Sequence, residues 1–280
     1  MKTSVKSYFI FYNPENLKAI AWAKKISTWI SKNHKNVKEN QKNPDLLIIL
    51  GGDGTILRGA REFEKCSPKI LALNLGKVGF LASVRENDKF LQYIKRFFEG
   101  KYILEKRNVL EMKVTRGRVE VCREVAINEV AIQNPLGMVE LTVEIEGHPI
   151  QSVRGTGILV STPTGSTAFN LSAHGPIVMP SLECVILTEL LDHNLPTPSL
   201  VIPKDKSIHI TIDDFREHKL LSVTTTKEPA DVVISADSKS PTPLKKKDLV
   251  IVSNHAHPIN LVSFDEHYFL KSIQDKFSFK

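Results

Sequence analysis

Cysteine is scarce in this chain of 280 residues: Cys66, Cys122 and Cys184 are the only three, and they form no CxxC pair. An odd, scattered set argues against a disulfide framework and a structural zinc site, and it suits a reducing cytosol. Long apolar runs are missing too, and nothing approaches the ~20 residues of a membrane-spanning helix. Residues 1 to 12 lack the apolar core and small-residue cleavage site of a signal peptide. Aromatic residues make up 7% of the chain, and arginine is not interleaved with them as in single-strand nucleic-acid binders. No internal repeat or low-complexity stretch occurs. The expectation is a cytoplasmic protein with no membrane and no nucleic-acid partner.

What is present is a globular composition, 41% hydrophobic and 25% charged, long enough for two modest domains. The formal charge of +7 suits small anionic substrates, because the positive residues are dispersed. The densest run, Lys245 to Lys247, lies between a proline-rich turn and an apolar stretch and reads as a solvated hairpin loop.

The first third alternates strand and helix signals. Residues 7–12 form a β-rich run ending at Asn13-Pro14, a pair suited to cap the next helix. Trp22, Ile26, Trp29 and Ile30 give that helix an apolar face, and residues 33–44 read as a polar connector. Residues 45–50 are a short, continuous apolar strand, 56–65 a helix, 69–74 a strand and 88–98 a helix. The fold class expected is an α/β N-terminal domain with a doubly wound, mostly parallel sheet, plus a β-rich C-terminal domain. The second domain rests on the alternation of Val139, Leu141, Val143 and Ile145 with polar residues. Similar runs recur at 110–114, 125–132, 158–161, 207–212, 232–235 and 249–252. We place the domains at 1–100 and 101–265, with a helix at 266–277 packing back on the first.

Four segments carry chemistry. Gly51-Gly52-Asp53-Gly54-Thr55 follows a buried strand and opens a helix, which places it where ligands collect in an open parallel sheet. Its glycines allow close approach of a phosphate, and the helix start offers unpaired N–H groups. Asp53 in such a loop would either take a proton from an attacking hydroxyl or share a magnesium ion with the phosphates. The spacing matches neither a P-loop nor a GxGxxG fingerprint. Residues 74–81 (NLGKVGFL) put two glycines and Phe80 after the next strand. Asn128-Glu129 interrupts an apolar run, a costly position unless hydrogen-bonded, and offers groups suited to a ribose diol or an adenine edge. Residues 162–177 (TPTGSTAFNLSAHGPI) crowd hydroxyl side chains around a glycine at a helix start, which suits ribose and phosphate oxygens.

Together these segments resemble the NAD kinases, in which GGDGT, NxGxxGFL, an NE or ND pair and TPTGSTAYxLSxGGPI occur in this order. The resemblance spans the chain to Pro258–Leu261, and the long fourth motif is its specific part. GGDGT alone is shared with diacylglycerol and sphingosine kinases, and more loosely with 6-phosphofructokinases. A lipid or sugar kinase, or a silent dinucleotide sensor, is thus the alternative.

The resemblance implies transfer of the terminal phosphate of ATP, or of polyphosphate, to the adenosine-side ribose 2′-hydroxyl of NAD. It also implies Mg²⁺ or another divalent cation carried in with ATP, no metal held by the protein alone, and a homodimer or homotetramer. Asp53 matches the catalytic base, with Gly51, Gly52, Gly54 and Thr55 as the phosphate-donor loop. Arg58 falls near phosphate and Phe80 near the adenine. Asn128 and Glu129 match the pair that binds ribose and nearby polar atoms, Thr156 the nicotinamide end, and Arg154 is a further NAD-binding position. Thr164, Thr167, Ala168, Phe169, Asn170, Leu171 and Ser172 match the lining of the NAD pocket. Three positions depart from the pattern. Thr156 stands for an aspartate, Phe169 for a tyrosine and His174 for a glycine.

Overall fold

The computed structural model describes residues 5–76, 79–192, 197–218, 221–222, 229–239 and 241–277. Lys77 and Val78 of the NLGKVGFL segment therefore lie outside the described residues. The chain divides into two compact units, Met1–Arg107 with His257–Lys280, and Asn108–Ala256.

The first unit is built on strands β1 (Ser7–Tyr12), β2 (Lys38–Glu39), β3 (Leu46–Leu50), β4 (Lys69–Leu73), β5 (Ile103–Arg107) and the final strand β20 (Ile259–Ser263). Their order is β2-β1-β3-β4-β20-β5, parallel except for β5 on β20. Its helices are α1 (Leu17–Asn33), α2 (Asp53–Glu62), α3 (Phe90–Phe98) and α5 (Tyr268–Phe277). All five residues of β3 are buried because both sheet faces are covered. Leu46, Ile48 and Leu50 join Ile26 and Ile30 of α1 and Phe90, Ile94 and Phe97 of α3 in one cluster. On the other face, Ile49 and Phe11 meet Gly59 of α2.

Several boundaries differ from the sequence expectation. Strands β5 and β20 complete the first sheet, so the units meet at 107/108 and 256/257 rather than 100/101 and 265/266. Helix α1 is capped by Asn16, whose Oδ1 accepts from the N–H groups of Lys18 and Ala19. Asn13 is spent on a preceding turn, accepting from the Glu15 N–H at 3.1 Å, which delays the helix by one turn. The connector at 33–44 contains β2, which a two-residue polar strand does not announce.

The second unit carries β6 (Leu110–Arg116), β7 (Val119–Ala126), β8 (Glu129–Gln133), β9 (Val139–Ile145), β10 (His148–Gly155), β11 (Gly157–Ser161), β12 (Cys184–Leu190), β13 (Leu200–Pro203) and β14 (Ile208–Phe215). It continues with β15 (Leu221–Ser222), β16 (Pro229–Ala230), β17 (Val233–Ala236), β18 (Thr242–Pro243) and β19 (Leu249–Asn254), and holds the short helix α4 (Phe169–Ser172). Two antiparallel sheets, β10-β9-β14-β19-β6-β7 and β13-β12-β11-β8-β17-β18, enclose one core. In β11, Ile158 and Val160 face that core. Leu159 faces the other way, clustering with Ala131, Leu190 and Phe169. The sheet is thus covered on its second face by the 162–177 segment. The run expected as one strand at 125–132 is two, broken at Ile127-Asn128.

Candidate active site

In the first unit, GGDGT is the junction of β3 and α2. Gly52 caps the helix without a side chain, and Asp53 is its first residue. The helix therefore starts three residues earlier than its apolar pattern suggests. Asp53 is held across the sheet end: its Oδ2 accepts from the Phe80 N–H at 2.9 Å. Its Oδ1 is buried and, among the described residues, has no hydrogen-bond partner. Gly79 makes this fit possible, since a Cβ there would lie 2.1 Å from Asp53 Oδ1. Gly51 is also fixed by packing, its added Cβ meeting Thr55 at 2.6 Å, whereas Gly52 and Gly54 face nothing within 4 Å. Their openness leaves room for a ligand to reach the backbone. Arg58 is exposed, its guanidinium 5.2 Å from the Phe11 ring centroid.

Helix α5 supports the far side of this loop. The Tyr268 hydroxyl donates to the Gly79 carbonyl at 3.2 Å and accepts from Arg85 Nε at 3.0 Å. Arg85 also donates to Asp275 at 2.6 Å and to the Ser272 hydroxyl. Burial raises the Tyr268 phenol above its ordinary value, so it stays a donor across the neutral range. Phe80 is 6% exposed, its ring 5.8 Å from Phe269, with the Lys276 ammonium 4.8 Å over it. The ring expected beside an adenine packs against α5, and the Phe80 N–H holds Asp53.

In the second unit, Asn128 and Glu129 sit at the break between β7 and β8, beside the 162–177 segment. Thr162 joins the two, its Oγ1 donating to the Ile127 carbonyl at 2.6 Å and its N–H to the Asn128 carbonyl at 2.8 Å. Gly165 rests on the same carbonyl, where a Cβ would come within 2.1 Å. Glu129 is 4% exposed, and its Oε2 has no partner among the described residues. Burial, and secondarily the Asp237 carboxylate, push its carboxyl up to about 7, opposed by the Phe169 N–H it accepts from.

The hydroxyls of 162–177 were expected to serve a ligand, but several close the segment on itself. Ser166 Oγ donates to the Pro163 carbonyl at 2.7 Å, and Thr167 Oγ1 to Thr164 at 3.3 Å; Thr164 itself is buried. Asn170 is fully buried, its amide donating to Pro176 at 3.1 Å and accepting from Thr188 at 2.7 Å. These side chains are turned inward because a buried turn must satisfy its own polar groups. Ala168, Phe169 and Leu171 are half-buried and Ser172 is exposed, which leaves them as the outward part of the segment.

A family model described as "ATP-NAD kinase N-terminal domain" matches residues 7–102, and one described as "ATP-NAD kinase C-terminal domain" matches 127–264. The NAD kinase of Gemmatimonas aurantiaca is 34% identical over 83% of this chain and 76% of its own. That of Caldanaerobacter subterraneus is 31% identical over 88% of this chain and 82% of its own. The chain belongs to the NAD kinase family. Its activity is transfer of the terminal phosphate of ATP to the adenosine-ribose 2′-hydroxyl of NAD, giving NADP. Among solved structures, yeast NADH kinase complexed with NADH shares the fold, with a TM-score of 0.87 at 20% identity over 99% of this chain and 88% of that one.

The departures from the NAD kinase pattern have structural readings. His174 has φ +61 and is the residue after the α4 C-cap: its N–H donates to Leu171 and the Gly175 N–H to Asn170. This six-to-one and five-to-two pairing ends the helix in a left-handed residue, where glycine is the unstrained choice. Thr156 Oγ1 donates to the Leu190 carbonyl at 3.0 Å, keeping lone pairs but no charge for a carboxamide. The Phe169 ring packs with Ala131, Leu159 and Leu190. Arg154 is exposed and paired with Glu140 at 3.2 Å. Sequence reasoning missed Thr162, Arg85 and Tyr268 as supports, because each acts through a partner over 30 residues away.

Proposed function

We propose that Asp53 is the general base of this NAD kinase. The supporting observation is the asymmetry of its carboxylate: Oδ2 is tied to the Phe80 N–H, and Oδ1 is buried with no partner among the described residues. One oxygen fixes the orientation while the other is free to accept the proton of the ribose 2′-hydroxyl. The hydroxyl oxygen then attacks the terminal phosphorus in line, and the donor leaves as ADP. The N–H groups at the start of α2, open at Gly52 and Gly54, cradle the donor phosphates with Thr55 beside them, and exposed Arg58 adds positive charge nearby. Asn128, Glu129, Arg154, Ala168, Phe169, Leu171 and Ser172 hold the dinucleotide, with Thr156 toward its nicotinamide end.

A divalent cation such as Mg²⁺ supplies charge neutralisation on the phosphates when bound. Among the described residues no three His, Cys, Asp or Glu side chains gather as a cage. Such a cation would be carried in on the nucleotide, and Asp53, the carboxylate of the loop, would be the side chain to share it. Polyphosphate as a second donor, a homodimer or homotetramer, and a cytoplasmic location belong to the same reading. No described helix is long and apolar enough to cross a membrane. The test is Asp53→Asn in a coupled assay for NADP with separate donors. Activity falls by about 10²–10⁴-fold with the fold kept; NADP formation at the wild-type rate refutes the assignment of the base.

A further inference from the structure

The peptide N–H groups of three consecutive residues, Ile127, Asn128 and Glu129, are all received by one carboxylate. Asp237 Oδ2 accepts from Ile127 at 2.9 Å, and its Oδ1 accepts from Asn128 at 2.7 Å and Glu129 at 3.2 Å. The Asp237 N–H donates back to the Glu129 carbonyl at 3.0 Å. Asp237 lies in none of the four motif segments and is about 110 residues distant in sequence.

Its backbone is also costly. The turn from Ala236 to Lys239, closed by the Lys239 N–H on the Ala236 carbonyl at 3.0 Å, has φ +48 at Asp237 and +53 at Ser238. Both central residues are positive, as in a type I′ turn, which favours Asn-Gly rather than Asp-Ser. Left-handed φ at non-glycine residues is strained and persists where the surroundings impose it. Here the strained residue delivers a charged acceptor to three backbone donors, and such bonds are stronger than neutral ones.

We propose that Asp237 is a positioning residue for NAD. Together with Thr162 it fixes the backbone of 127–129, and so sets the direction in which the Asn128 and Glu129 side chains meet the dinucleotide. This rests on the reading that the Asn128-Glu129 pair binds NAD. Asp237 also acts on Glu129 electrostatically. Among the described residues, Glu129 has neutral Ser161 opposite it on β11 and receives the Phe169 N–H from α4. Lys239, in the Asp237 turn, is paired with Glu124 at 2.7 Å. Asp237 is thus the titratable group that acts on Glu129, and its charge keeps that carboxyl high.

The experiment compares kcat, KM for NAD, KM for ATP and the pH profile in wild type, Asp237→Asn, Asn128→Ala and Ser238→Gly. Asp237→Asn keeps one acceptor oxygen and removes the charge, and thermal unfolding checks that the variant is folded. We expect its KM for NAD to rise roughly ten- to a hundredfold, the scale of a displaced contact, with KM for ATP little changed. The acid limb of kcat/KM for NAD moves to lower pH, because Glu129 loses its like-charged neighbour. Ser238→Gly relieves strain and leaves KM for NAD within about twofold. If Asn128→Ala raises KM for NAD while Asp237→Asn moves neither that KM nor the acid limb, the positioning role is wrong. Equal rises in both KM values with an unmoved acid limb also overturn it, since that is a structural effect. If Asn128→Ala is itself silent, the pair is not the NAD site, and the inference falls with it.

Discussion

The candidate residues of the two units are placed by opposite means. In the first unit, Asp53 is placed by proximity and by the lack of a side chain: strand, turn and helix start lie within a few residues, and Gly79 makes the space. In the second, Asn128 and Glu129 are placed by charged and hydroxyl groups reaching across the sequence, with Thr162 35 residues and Asp237 about 110 residues away. Among the described residues, the Asp53 carboxylate is left with one oxygen unpaired. A strand break that presents side chains has its backbone satisfied on every side. The first arrangement is sensitive to added atoms, the second to lost charge.

That contrast can be attacked most strongly at Glu129. Its folded pKa of about 7 is raised above the ordinary 4.5, so the folded state holds a proton that the unfolded chain has released in that window. Stability is therefore full below pH 4.5 and is lost as pH rises toward 7. Glu129→Gln removes the titration. Without nucleotide, it should exceed wild type by on the order of 3 kcal/mol at pH 8 and match it at pH 4. Denaturant unfolding at both pH values measures this; equal stabilities at pH 8 would refute it.

In the first unit the lever is volume. Gly79→Ala places a methyl group on Asp53 Oδ1 and should cost about 1–3 kcal/mol by overpacking, with a fall in kcat from the displaced base. Gly54→Ala meets nothing within 4 Å and sits in the first turn of α2, so it should be neutral or stabilising by up to about 1 kcal/mol. Its effect should fall on the KM for ATP. Thermal unfolding and steady-state kinetics on the pair separate a glycine the fold needs from one the ligand needs. The smallest effect is expected at His174→Gly, which relieves a left-handed residue and should raise stability by about 0.5–1 kcal/mol. Unchanged or lower stability would mean the His174 side chain has a contact worth keeping.

Much of the first unit was readable because its signals are local. The apolar run of β3 and the spacing of Ile26 and Ile30 follow from residues near one another in the chain. The cap of α1 was misplaced because Asn13 and Asn16 compete for the same role, and only the geometry of the turn chooses between them. In the second unit, the hydroxyl-rich segment was conspicuous in sequence but its use was not: Ser166, Thr167 and Asn170 look like donors to a ligand and turn inward.

The sequence by itself determined the family, the strand–helix alternation of the first unit and the β-rich character of the second, and the identity of Asp53, Asn128 and Glu129 as residues of interest. These rest on periodicity and on motifs contiguous in the chain. Tertiary structure decided what surrounds them. It placed a glycine against Asp53, brought Tyr268 to the Gly79 carbonyl and Arg85 to Tyr268 across 183 residues of sequence, and set Asp237 under the Asn128-Glu129 turn. A buried polar group must find its partners wherever the fold places them, and no local pattern records that choice.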